Sequence, residues 1–491
     1  MAGARGVQVV DGRSPTPLFG PAGLALAFLL ALIASWPMLA LQGPLVFFDT
    51  VQYYDRGGKL IAMVFGSQEV AAPVGDAGGA TAGGQGEPGL TGIRIRSLPY
   101  ALYTYLSANT PLGLYFTCLV QGAIAIWVFF ALVPAAALRR SWWLWAGFAL
   151  MVVFTALPWF VSYAMPDILG AILPVYYIIL LRRIDRMAAW QRWVLALLAT
   201  AAIAVHYGNQ PLAAVLAVVV LAWRGFEGRF GWRIALMAIG PVVAVLSFNF
   251  AVGVATSDQP TAKSVSAAPK RLPILLARSI EDGPARWYLD DACPQAGYAM
   301  CEIFDPMPEN ITAFLWEQGG YAGASDAQIA RINEEENAIL WEAFKRYPIQ
   351  QTRALVRNAG LQAVKVGLDD MWTLTRPADA FPGDEIEPVD AEREKPGQLL
   401  MFDRIVSVAT LVAVLLVLAG MATGRIGPRG REAFVLLAVA LAVNAAVFGG
   451  LSAPVDRYQG RLAWLIPAML VLYTAPGLGV RTRYGTPQGR P

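Results

Sequence analysis

The chain has a single histidine, His206, and three cysteines in 491 residues. With one imidazole and no CxxC pair, a histidine-rich metal site or a zinc-finger module is excluded. Charge is also scarce, at 15% of residues, where a soluble domain averages about 25%. The net charge of +3 is too small to point to a nucleic acid as partner. No repeat recurs at a fixed period. Apolar residues fill the space left: 56% of the chain is hydrophobic, and mean hydropathy is +0.49. Apolar runs of roughly 18 or more residues recur, the mark of a polytopic membrane protein.

The first run, from Gly23 to Leu41, is too long for a signal-peptide core and no small-residue cleavage pattern follows it, so it reads as a retained helix. Further spans are expected at about 111–136, 143–160, 166–181, 190–206, 209–223, 233–254, 401–422, 433–452 and 461–476. Arg5 and Arg13, Arg139 and Arg140, Arg182, Arg183 and Arg186, Arg224, Arg229 and Arg233, Arg425, Arg429 and Arg431, and Arg481 and Arg483 all fall on one side of such a ten-span chain. The positive-inside rule makes that side cytoplasmic, with both termini there. The segment 256–398 then lies outside, and it carries 23 acidic against 14 basic residues. The expected architecture is an all-α polytopic membrane protein of about ten transmembrane helices in a bacterial inner membrane, with a mainly α periplasmic domain inserted between the seventh and eighth. Residues 1–255 form an N-terminal core of about seven helices with an external first loop at 43–110. Residues 256–398 form the external domain, and 399–491 about three helices and a cytoplasmic tail.

Within the external regions, 72–92 is glycine-rich and reads as flexible. Gly57 to Phe65 and Leu98 to Leu106 suit short interfacial helices, the latter with Tyr100, Tyr103 and Tyr105 as an aromatic belt. Asp326 to Tyr347, after a Ser325 N-cap, and Gln350 to Gly367 have the spacing of amphipathic helices. Cys293 and Cys301, eight apart on an oxidising side, are expected to form a disulfide, while Cys118 lies within a span.

Polar clusters sit at external span ends. Asp49, in Phe47-Phe48-Asp49-Thr50-Val51-Gln52-Tyr53-Tyr54-Asp55-Arg56, follows the first span, where charge beside lipid is costly unless solvated or used. Asp167 follows Pro166 at a span start, where helix capping is a competing explanation. His206 lies in a polar turn and also fits a plain hydrogen-bonded turn residue. Arg457, Tyr458 and Arg461 precede the last span, and Arg94 and Arg96 the second. External arginines run against the positive-inside bias, and their forked donors suit a phosphate, although snorkelling competes. A carboxylate base and arginines at a membrane edge suit transfer from a lipid-phosphate carrier, with Asp49 deprotonating an acceptor hydroxyl and the arginines stabilising the leaving phosphate.

The layout resembles the polytopic glycosyltransferases of the GT-C superfamily, which use polyprenyl-phosphate-linked sugars at the external membrane face. Asp49 occupies their acidic position in the first external loop, Gly57 to Phe65 and Leu98 to Leu106 the interfacial helices, and Asp456-Arg457-Tyr458 with Arg461 and Pro467 the Arg-Tyr element entering a late span. The resemblance implies an integral membrane hexosyl- or pentosyltransferase of the cell envelope. Its donor would be a polyprenyl-phosphate sugar and its acceptor a lipid, glycan or protein, with Asp49 catalytic and Arg94, Arg96, Asp167, His206, Arg457, Tyr458 and Arg461 binding substrate and phosphate among membrane lipids. No metal ligand and no cofactor is assigned. A divalent metal stays open, with Thr50 standing where many members carry a second acid. Two other classes compete: an O-antigen ligase or polymerase, which would promote His206, and a non-enzymatic transporter or assembly factor. Near absence of mid-span charge speaks against ion-coupled transport.

Overall fold

The computed structural model describes residues 19–65, 96–133, 142–255, 272–317, 320–374, 393–394 and 396–474. Arg94 and the glycine-rich 72–92 lie outside them. The architecture is all-α; among the described residues the only strands are Thr373–Leu374 and Arg393–Glu394, paired antiparallel. Five helical stretches are long and apolar enough to cross a membrane: Pro21–Ala40, Asn209–Phe226, Trp232–Val252, Gly397–Ala422 and Pro428–Gly450. Leu114–Phe130, Trp142–Phe154 and Ala189–Ala204 are apolar but shorter. The chain is therefore read as a membrane protein.

The longer helices are numbered α1 (Pro21–Ala34), α2 (Phe48–Phe65), α3 (Leu98–Ala108), α4 (Leu114–Phe130), α5 (Trp142–Phe154), α6 (Ile172–Arg182), α7 (Ala189–Ala204), α8 (Asn209–Phe226), α9 (Trp232–Ala255), α10 (Ile274–Asp282), α11 (Pro284–Ala296), α12 (Asp326–Arg346), α13 (Pro348–Val364), α14 (Gly397–Ala422), α15 (Pro428–Ala445), α16 (Asp456–Ala463) and α17 (Leu465–Thr474). The bundle is arranged around α6. Every residue from Pro166 through Leu181 is buried, first as a 3₁₀ stretch and then as α6, and α4, α7, α8, α9 and α15 pack on it.

Proline placement explains where the apolar runs break. Pro158 cannot donate to the carbonyl four residues back, and the expected 143–160 span splits after Phe154, with Thr155 bonding Met151 O at 2.7 Å. Pro467 does the same to the last run, separating α16 from α17 at Ala463. Inside α9, Pro241 deprives the Met237 carbonyl of its helical donor. The buried Tyr176 hydroxyl donates to Met237 O at 2.6 Å, and Tyr177 donates to Ala238 O at 3.0 Å. In lipid such freed carbonyls must be satisfied within the protein.

Two local expectations change. Asp49 to Arg56 and Gly57 to Phe65 form the single helix α2. It lies directly on α3, because a Cβ at Gly57 would stand 2.3 Å from Ala101 O. The tyrosines of α3 turn inward rather than forming a lipid-facing belt: Tyr100 donates to Gln121 Oε1 at 3.0 Å and Tyr103 to Thr117 O at 2.7 Å. Their hydroxyls find better partners in the bundle than in headgroups.

Residues 272–346 build a second core from Leu276, Ile280, Leu289, Met300, Phe314 and Ile332. The Cys293–Cys301 disulfide is formed. Ser325 and Gln328 cap α12 reciprocally. Asp282 joins this core to α13, accepting from Arg278, Arg357 and Asn358 at 2.8–3.1 Å.

Candidate functional site

Three stretches far apart in sequence meet at the Asp167 end of the central buried run. The first is 45–50. Leu45 pairs with 162–164 (Leu45 N to Ser162 O 2.8 Å, Ala164 N to Leu45 O 2.9 Å), and Leu374 N donates to Val46 O at 2.9 Å from the other side. Thr50 Oγ1 donates to Ala164 O at 2.9 Å and accepts from Phe47 N at 3.1 Å. Thr50 is thus a clamp that fixes the start of α2, and Asp49 stands in its first turn.

Asp49 is 8% exposed. Arg96 Nη2 is ion-paired to its Oδ1, with Arg96 Nε donating to Gln52 Oε1 at 3.0 Å, and Arg457 Nη2 stands 4.0 Å from Oδ2. The carboxylate is therefore enclosed under two guanidinium groups rather than facing open water. Arg457 lies over the rings of Phe47 (4.6 Å) and Tyr458 (5.1 Å), and its Nη1 has no hydrogen-bond partner.

Asp167 is 1% exposed, and neither carboxylate oxygen has a hydrogen-bond partner on another residue among the described residues. It stands in the first turn of the 3₁₀ stretch, beside Pro166, where an acid meets the positive end of the helix. Arg457 and Arg461 supply its nearest positive charge. Arg461 is fully buried, which leaves no room for snorkelling. Its Nη2 donates to Asn444 Oδ1 at 2.8 Å while Nε and Nη1 have no partner among the described residues. The guanidinium rests 4.4 Å over the Phe448 ring and against Gly170, where a Cβ would come within 3.3 Å of it. His206 stands beside the same rings, 5.3 Å from Phe448 and 6.5 Å from Tyr458, and its Nδ1 accepts from Gly208 N at 3.1 Å. As expected of a turn residue, it is held by its own turn.

Asp49, Arg96, Asp167, His206, Arg457, Tyr458 and Arg461 are thus brought into one polar cluster inside an apolar bundle. Three guanidinium groups face two carboxylates there. Each buried donor without a partner costs about 1–3 kcal/mol. The arrangement suits an incoming anion that would take up the free donors.

Sequence reasoning missed the groups that hold this cluster. Asn444 gives its amide to Tyr458 O (2.8 Å) and Gln459 Oε1 (2.7 Å) as well as accepting from Arg461. A lone amide within the apolar run 433–452 was the available signal. Residues 362–374 brace the arginine element from outside. Gln362 exchanges two bonds with Val455 (2.8 and 2.9 Å). Asp456 accepts from Lys365 Nζ (2.9 Å) and Gly367 N (3.0 Å), and its own N–H donates to Asp370 (2.7 Å). Burial works against charge on Lys365, but Asp456 and Asp370 hold its ammonium above the usual 10.5. Burial likewise opposes ionisation of Asp370, and the Asp456 backbone N–H and the Lys365 ammonium outweigh it, holding the carboxyl below 3.8. The same short stretch thus touches both Val46, before Asp49, and Asp456, before Arg457.

Asp369, Asp370 and Asp456 are close enough to share a cation. The Lys365 ammonium already sits there, 3.2 Å from Asp370 and 2.9 Å from Asp456. A separate apolar cavity of about 80 Å³ lies between α1, α4, α5 and α17, lined by Leu30, Phe130, Phe148, Trp464 and Leu472 among others. None of the charged residues of the polar cluster lines it.

No protein-family model matches this chain, and no curated protein or solved structure is similar to it.

Proposed function

We propose that the chain is an inverting membrane glycosyltransferase of the GT-C type, moving a sugar from a polyprenyl-phosphate donor to a hydroxyl of a lipid, glycan or protein acceptor at the periplasmic face. The shorter apolar helices would complete a set of about ten spans in a bacterial inner membrane, with 256–398 outside and both termini in the cytoplasm. In this reading Asp49 takes the proton of the acceptor hydroxyl as its oxygen bonds the anomeric carbon. The bond from that carbon to the phosphate oxygen breaks, and the polyprenyl phosphate departs with the negative charge. Arg457 and Arg461 meet that charge as it grows, which is the differential stabilisation that accelerates transfer. Arg96 orients Asp49.

The observation that carries the reading is the meeting of Asp49 with Arg96 and Arg457, the latter with one donor nitrogen that has no partner among the described residues. The test is transfer in proteoliposomes supplied with polyprenyl-phosphate sugars. Asp49→Asn should lower the rate by roughly 10²–10⁴-fold, as for loss of a general base; full activity in that variant rejects the assignment. His206, placed in the same cluster, favours a second reading as a ligase or polymerase of lipid-linked glycans. In that case His206→Ala would abolish turnover, whereas the glycosyltransferase reading expects it to be tolerated.

A further inference from the structure

The helix α13 has two opposed faces, and among the described residues only one of them has a partner within the protein. Gln351, Ala354, Asn358 and Gln362 recur at helical spacing on the inner face. They bond Ser279 (2.6 Å), Asp282 (2.8 Å) and Val455 (2.8 Å), and Ala354, Asn358 and Gln362 are buried. The opposite face carries Ile349, Val356 and Val364, exposed by 77%, 68% and 73%, with Arg353 and Gly360 between them. Water is a poor surrounding for three such side chains on one stripe.

Its position says what covers the stripe. α13 packs against the last turn of the apolar Pro428–Gly450 stretch, one of those long enough to cross a membrane. The contact is close along its middle: a Cβ at Gly449 would stand 2.4 Å from Asn358 O and 2.5 Å from Gln362 Cβ. α13 therefore runs at the depth where a span leaves the hydrocarbon, and its free face turns away from the bundle. The next residue of the span end, Leu451, is itself 43% exposed, so the apolar belt continues from span to stripe. Charge agrees. Pro348–Val364 has two arginines and no acid, inside an external segment that is otherwise acidic. Arg353 has no ion-pair partner among the described residues. An amphipathic helix with apolar and cationic residues on its outward face matches the boundary between acyl chains and phosphate headgroups.

We propose that α13 is a membrane-surface helix, seated in the headgroup region of the bilayer through Ile349, Val356 and Val364, with Arg353 meeting lipid phosphate. The assignment does not rest on the transfer reaction. Because Gln362 leads directly into the brace on Val455 and Asp456, the lipid surface would also set where that brace stands.

The test uses the full chain in vesicles of phosphatidylethanolamine and phosphatidylglycerol. A spin label is placed at Val356→Cys in a Cys118→Ser background, with Glu334→Cys on the exposed face of α12 as reference. Collision with oxygen and with a water-soluble nickel chelate is measured at each. The proposal expects the Val356 label to favour oxygen several-fold over the reference and to lose nickel contact. Equal nickel access at the two positions would overturn it. So would a Val356 label shielded from both reagents, since a protein partner rather than lipid would then cover the stripe. A third label at Ala354→Cys, on the buried face, reports whether α13 has kept its place.

Discussion

The two ends of the central buried run carry two ionic clusters built from the same residue types, and they differ in how closely their charges are paired. At the C-terminal end, Arg182 meets Glu227 and Glu432 at 2.5 Å. The buried Arg224 donates to Leu180 O (2.7 Å), Leu181 O (3.3 Å) and Asp185 (2.8 Å), and Arg229 completes the ring to Asp185 and Glu227. At the Asp167 end, among the described residues, Arg461 is more deeply buried and uses one of its donor nitrogens, Arg457 keeps one unspent, and the Asp167 carboxylate has no hydrogen bond from another residue. Folding alone favours the first arrangement, because buried charge is stable only when its bonds are made. The second stays costly until something else binds. One end staples helices together; in the proposed reading the other is poised for a ligand.

Substitutions at the two ends should therefore fail in different ways. The largest expected effect is at the poised end. Arg461→Met should lower transfer per folded molecule by roughly 10²–10³-fold, as for loss of an oxyanion donor. A large fall in melting temperature with turnover per folded molecule intact would reverse the comparison. Next is the stapled end. Arg224→Met leaves the Leu180, Leu181 and Arg229 carbonyls without this donor and Asp185 with Arg229 alone, and should cost about 1–3 kcal/mol of stability, read by thermal melting in detergent, with transfer per folded molecule unchanged. Smaller again is the brace. Lys365→Met should reduce transfer about tenfold by letting Arg457 drift from Asp49, as a shift of about 1 Å in a positioned group costs up to 10²-fold, and Lys365→Arg should restore most of it.

The brace also fixes a mild pH dependence. The folded protein holds the Asp370 carboxyl below 3.8. Its contribution is therefore complete above that value and is lost as pH falls through the lower folded value. Burial holds the adjoining Asp456 carboxyl above 3.8, so protection of the Asp456 amide from hydrogen exchange should be flat around neutrality and weaken as the pair takes up a proton on acidification. Weakening near neutrality would place a different group in control.

Much of this was legible in the chain. Apolar runs located α8, α9, α14 and α15 because lipid-length hydrophobicity has few alternative uses. Ser325 and the periodicity after it placed α12, and the cysteine spacing placed the disulfide. Polar residues at span ends singled out Asp49, Asp167, His206, Arg457 and Arg461, since charge is rare beside hydrocarbon and conspicuous when present. Helix breaks within apolar runs, at Phe154 and Ala463, were visible in Pro158 and Pro467 but overridden by hydropathy. What could not be read was partnership across the fold. Thr50 looks like a missing acid in sequence and is a clamp on Ala164 in space. Tyr100 and Tyr103 have the composition of a lipid-facing belt and turn to Gln121 and Thr117, because a hydroxyl's preference is decided by which acceptor lies within reach. Lys365 and Gln362 sit about 90 residues from the groups they hold, a distance no local pattern spans.

The account rests on unspent arginine donors meeting a lipid-borne phosphate. Native mass spectrometry of the purified protein with undecaprenyl phosphate tests this without any knowledge of sugar or acceptor. The account predicts a bound carrier retained by the wild type and by Arg224→Met, and lost in the paired variant Arg457→Met with Arg461→Met. Equal retention by all three proteins would contradict it.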